Sequence, residues 1–156
     1  MIGTATVRQE LPTSPIVPSL PPHLVQLGFD HVLAVQAGDN ATAARLAPEV
    51  KQLSELLPAI VEPVVFPVTA LSDDTEPCAD SFVLDEVGVL YLMAIREWAT
   101  HAPAAAAPGI ARTLAHFVGQ VLADAPTDVV PALRALRDER VKRASAVVEN
   151  VVALHR

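Results

Sequence analysis

From Thr127 to His155 the apolar residues recur at helical spacing, and at 100° per residue Leu133, Leu136, Val141, Ala144, Val147, Val148, Val151 and Leu154 share one face. This stripe predicts a helix of about 28 residues, roughly 42 Å long, which is more than a compact domain of this size needs. Its distal half, AVVENVVALHR, is expected to project onto another subunit. Two cations interrupt the stripe: Arg140 falls about 20° from its centre and Arg137 about 40°, while Arg134, Lys142 and Arg143 turn toward the edge or the opposite face. A guanidinium keeps its charge, so one aimed at apolar surroundings needs a carboxylate, a bound anion or a partner protein.

The same reading divides the rest of the chain. Residues 1–18 contain Pro12, Pro15 and Pro18 without helical period and are expected to form an extended arm, disordered or crossing to a neighbouring subunit; residues 19–156 form a single helical domain. A first helix over 20–37 is capped by Ser19, carries Pro21 and Pro22 in its first turn and ends at Gly38. Asp39 or Asn40 caps a second helix with a Leu46, Val50, Leu53, Leu57 stripe, kinked or restarted at Pro48. Pro58, Pro63 and Pro67 then punctuate an apolar run, which reads as a packed connection with one edge strand at 64–69.

Asp80 or Ser81 caps a third helix, 81–101, apolar on nearly all sides and so expected to be central. Pro103 and Pro108 bracket an alanine linker, a short helix carries Ile110, Leu114, Phe117, Val118 and Val121, and Thr127 caps the fifth and longest helix. The fold class expected is all-α, a bundle of about five helices with a long C-terminal helix and a proline-rich N-terminal arm. The alternative makes 31–36 and 61–70 strands, giving an α/β N-terminal half and a helical C-terminal half.

Composition narrows the function more than it defines it. A net charge of −7 disfavours nucleic-acid and anionic-membrane binding, which need basic surfaces. No stretch approaches the ~18 uncharged apolar residues of a membrane span, and MIGTATVRQELPTSP lacks the basic start and unbroken apolar run of a secretory signal. A single cysteine, Cys78, fits a reducing cytoplasm, excludes an internal disulfide and, with no local cation, reads as a non-catalytic thiol. With six glycines against 14 prolines, little material exists for a phosphate-cradling loop.

Candidate chemistry is sparse. Asp85 and Glu86 open the third helix and are the acids expected to meet Arg137 and Arg140. Asp138 with Lys142 and Glu139 with Arg143 are spaced as i, i+4 pairs on a solvated helix face. Asp73, Asp74, Glu76 and Asp80 lack the EF-hand order, and Glu97 with His101 lacks a second ligand pair, so no metal and no cofactor are expected. Tyr91 and Trp98, about two turns apart, are candidates to line a cavity with Phe117. No catalytic residue emerges. The function expected is a non-enzymatic protein-binding or assembly module that self-associates. The alternative is a small-molecule or anion-binding protein, or an enzyme, using Arg137, Arg140, Asp85, Glu86, Tyr91 and Trp98 between its last three helices.

Overall fold

Proline at the first helical position and glycine just past the last bracket the first helix, Pro22–Ala37 (α1). Gly38 takes the left-handed φ of 68°, and the Asp39 N–H returns to the Ala34 carbonyl at 2.9 Å, closing α1. The Asp39 side chain then accepts from the Thr42 N–H at 3.0 Å and caps the second helix, Asn40–Gln52 (α2), which runs through Pro48. The computed structural model describes residues 20–72 and 76–154, and among them the remaining helices are Leu56–Thr69 (α3), Ala79–His101 (α4), Pro103–Phe117 (α5) and Val129–Leu154 (α6). A π-helical turn, Val118–Leu122, extends α5, and a 3-10 turn, Pro126–Asp128, precedes α6. The N-terminal arm and its Ser19 cap lie outside the described residues.

The architecture is therefore all-α, with six helices where five were expected and no strand among the described residues. The segment read as a connection with an edge strand is α3, and residues 31–36 are part of α1. Pro58 sits in the first turn of α3, where its missing N–H costs nothing; Pro63 and Pro67 each remove one internal hydrogen bond. Burial overrides that loss: Leu56, Leu57, Ile60, Val61, Val64 and Val65 are all in the core. The alanine stretch read as a linker is the first half of α5, with Pro103 at its start and Ala106, Ala107 and Ala111 buried as small contact residues. Thr127 falls in the 3-10 turn rather than at a helix cap.

The central helix is α1, which packs against α6, α5, α2 and α3. Phe29 and Val32 from α1 meet Leu56 and Val61 of α3, Ile110 and Leu114 of α5 and Leu133 of α6, all essentially inaccessible to solvent. The expectation that residues 81–101 form the central helix is overturned. Among the described residues this helix, α4, packs mainly on α3 and α5 and buries just Gly88, Leu92, Ile95 and Ala99. Its N-terminus is held by reciprocal bonds between Cys78 and Ser81: the Cys78 N–H donates to the Ser81 hydroxyl at 2.9 Å, and that hydroxyl donates to the Cys78 carbonyl at 2.8 Å. An Arg96–Glu62 ion pair ties α4 to α3 along one edge.

Gly88 sets how closely α4 approaches α3. A Cβ there would stand 2.1 Å from Oγ1 and 2.6 Å from Cβ of the buried, β-branched Thr69. We expect Gly88→Ala to destabilise the fold by up to about 2 kcal/mol in urea unfolding, because an overpacking cost of ~1–3 kcal/mol is only partly offset by the ~0.8–1.0 kcal/mol gained in helix propensity. A stabilised variant would show that the two helices separate freely.

Candidate functional site

The two arginines of α6 are anchored by groups that the sequence pattern did not single out. In α3, Pro67 stands four residues after Pro63 and has no N–H, so the Pro63 carbonyl lacks its helical donor. Arg140 supplies one, donating from Nη2 to that carbonyl, while its Nε is buried without a partner among the described residues. Burial holds the Arg140 pKa below the ordinary arginine value, with the Arg143 charge acting in the same direction and Glu139 opposing. Arg137 donates from Nη1 to Asp30 of α1 and from Nε to Asp138, both at 3.0 Å. Asp138 first, then Asp30, raise the Arg137 pKa against the effect of burial.

Asp85 and Glu86 are not the partners of these arginines. They lie on α4, which packs on α3 and α5, whereas α6 packs on α1. The Asp85 carboxylate instead accepts from the Leu71 N–H at 3.2 Å and pins the chain leaving α3; Glu86 is exposed. Glu139 pairs with Arg143 as the spacing predicts, while Asp138 takes Arg137 rather than the expected Lys142. The six candidate residues thus do not assemble into one site.

Tyr91 and Trp98 part company as well. Trp98 covers Gly109 of α5, where a Cβ would stand 2.0 Å from the indole, and this contact marks where the two helices meet. Away from it a groove of about 670 Å³ lies between α3, α4 and the end of α5. Leu84, Val87 and Tyr91 line one wall, Phe117 and Val121 the other, and Arg112 and His116 stand exposed beside them. The Tyr91 hydroxyl is buried there without a hydrogen-bond partner among the described residues. A second groove of about 470 Å³, between α1, α3 and α6, holds Phe29, Phe66, Val147 and Arg140.

His31, on the buried face of α1, is almost inaccessible, and neither ring nitrogen has a partner of hydrogen-bond geometry among the described residues. Burial lowers its pKa from 6.5; a backbone contact at Ala107 pulls the other way, and the Lys51 charge adds to the lowering. Cys78 is exposed at the N-cap of α4, and the Ser81 backbone N–H lowers its thiol pKa, a helix-end effect that a search for cationic neighbours misses. Glu97 and His101 meet at 3.1 Å, but no group of three or more metal-ligating side chains occurs among the described residues. Asp73 and Asp74 lie outside the described residues.

The largest departure from an ordinary surface is apolar. On α4, Phe82, Val83, Leu84, Val87, Leu90, Met93 and Trp98 are 40–62% exposed. On distal α6, Val147, Val148, Val151 and Val152 are about half exposed and Leu154 is 84% exposed. No helix among the described residues is long and apolar enough to cross a membrane. The chain matches no protein-family model, no curated protein and no solved structure.

Two outcomes follow from the buried polar groups. Arg140→Met should cost ~1–3 kcal/mol in chemical denaturation by leaving the Pro63 carbonyl without a donor. In a Pro67→Ala background, where residue 67 regains its N–H, the same change should cost at least ~1 kcal/mol less; equal costs in both backgrounds would refute the carbonyl role. For His31, the folded state favours the neutral ring. Above pH 6.5 both states are neutral and this contribution is complete; as pH falls through 6.5 the unfolded chain takes up the proton first and stability is lost. Unfolding free energy should therefore fall between pH 7 and pH 5, and His31→Leu should flatten that interval.

Proposed function

We propose that the chain is a non-enzymatic helical assembly module that associates with further copies of itself. The observation that carries this reading is α4, a helix with apolar side chains on both its packed and its exposed sides. A helix apolar all round belongs between two layers, and the single chain supplies only one. Contiguous exposed apolar surface of this kind marks interfaces more often than free protein surface. The arginines do not carry this reading, since Arg137 is satisfied by carboxylates and Arg140 serves a backbone carbonyl of the same chain. The net charge of −7 argues against nucleic acid as the partner, and the exposed thiol of Cys78 suits a reducing, cytoplasmic setting.

A second reading, binding of a small anionic ligand, rests on the buried unpartnered Nε of Arg140 beside the groove between α1, α3 and α6. A thermal-shift screen of carboxylates and phosphates tests it, since a ligand bound only by the folded form must raise the melting temperature. For the principal reading, size-exclusion chromatography with light scattering at micromolar concentration should return at least twice the 16.5 kDa chain mass. A monomer under these conditions overturns self-association.

A further inference from the structure

We infer that self-association proceeds by docking residues 145–154 of α6 into the groove between α3, α4 and α5 of a second copy. This rests on the self-association proposed above and names the two surfaces that meet. The first observation is length: α6 has 26 residues, about 39 Å, against 16 residues, about 24 Å, for the α1 helix it packs on. The overhang is real in burial, because Ala144 is the last buried residue of α6.

The overhang is also patterned. Val147, Val148, Val151, Val152 and Leu154 share one side, flanked by Glu149 along one edge and Asn150 along the other with Ala153 opposite, the spacing of a helix that lies in an apolar groove. The groove repeats that geometry in its wall, where Leu84, Val87 and Tyr91 follow one another at i, i+3 and i+7. Seven residues of rise, about 10 Å, separate Leu84 from Tyr91 and equally Val147 from Leu154, so the anchors and the wall match in length.

Charge decides between occupants. Arg112 and His116 flank the groove and Glu149 lies on the distal segment, and none of the three takes part in an ion pair among the described residues. The competing arrangement, α4 against α4 of a second copy, brings Glu86 of the exposed α4 face into an apolar interface, and the one cation-forming side chain on that face, His101, is already taken by Glu97. Within one chain α6 runs along α1 while the groove is bounded by α4, so a second copy supplies the segment. Reciprocal exchange then forms two identical contacts about a two-fold axis and closes the assembly as a dimer.

The test is complementation between full-length variants, read by light scattering and analytical ultracentrifugation. Leu84→Glu places a carboxylate in the groove and Val148→Glu places one on the segment; both positions are exposed in the single chain, and circular dichroism checks that each variant folds. Each alone should dimerise at least about tenfold more weakly than wild type. Their equimolar mixture should recover dimer, because the intact segment of the first fits the intact groove of the second. If Leu84→Glu fails to fold, Val121→Asp replaces it on the facing wall. Wild-type dimers with unweakened variants, or weakened variants that do not complement, overturn this pairing while leaving self-association standing. A wild-type monomer removes both. A wild-type monomer that binds the dye anilinonaphthalene sulfonate, with binding lost in Leu84→Glu, assigns the groove to small apolar ligands instead.

Discussion

One hydrogen bond, from Arg140 to the Pro63 carbonyl, reconciles the two least orthodox parts of this chain. Helix α3 is the most apolar of the six and carries Pro63 and Pro67 one turn apart, so its backbone presents carbonyls that no helical N–H can reach. A carbonyl in that position costs ~1–3 kcal/mol if it is partly buried and unserved. A long side chain from the neighbouring helix with a permanent donor removes the defect, and arginine is the residue whose fork of N–H groups does this without shedding its charge. The guanidinium that looks misplaced in the apolar stripe of α6 is thus complementary to prolines that look misplaced in α3.

Close approach is the second constraint. Gly28 lets Ile60 of α3 lie against α1, with a Cβ there standing 2.6 Å from Ile60 Cγ1. Gly88 seats Thr69, Gly109 seats Trp98, and the buried alanines of α5 present little more than backbone to their neighbours. Packing this tight builds a core from α1, α3, α5 and α6, with Val50 of α2 and Leu92, Ile95 and Ala99 of α4, and so consumes less apolar surface than a composition of 51% hydrophobic residues provides. Most of the surplus lies on the far side of α4 and along distal α6, with Leu53, Phe66, Leu71, Val121 and Leu122 exposed elsewhere.

These constraints explain what the sequence disclosed and what it hid. Local signals were legible: Gly38 ends α1, Asp39 caps α2, and the periodic stripes locate α4 and α6 to within a few residues. Helix α3 was illegible because three prolines are a local argument against a helix, and the burial that overrules them is tertiary. The N-terminal half of α5 was hidden the same way by Pro103, Pro108 and a run of alanines. Periodicity showed that Arg137 and Arg140 face inward but not what they meet. Asp30 is 107 residues from Arg137, and the second acceptor is a main-chain carbonyl with no sequence signature beyond the i, i+4 proline pair. That pair, read with a cation in an apolar stripe, is the signal that was available.

The position of Arg140 also gives the overhang of α6 its direction. Arg140 donates a hydrogen bond to α3, and Ala144, one turn later, is the last residue of α6 to be buried. Upstream, Arg137 fixes the same helix to α1 through Asp30. Two guanidinium contacts one turn apart, to different helices, define the axis of a rigid rod better than apolar packing, which tolerates sliding and rotation. Residues 145–154 continue that axis as helix, so their valine stripe is presented at a set angle rather than swept through solvent. A segment held in this way has little conformational freedom left to lose to any contact made on that stripe. The proline-opened carbonyl of α3 is therefore connected, through Arg140, to the angle at which the chain holds its exposed apolar end.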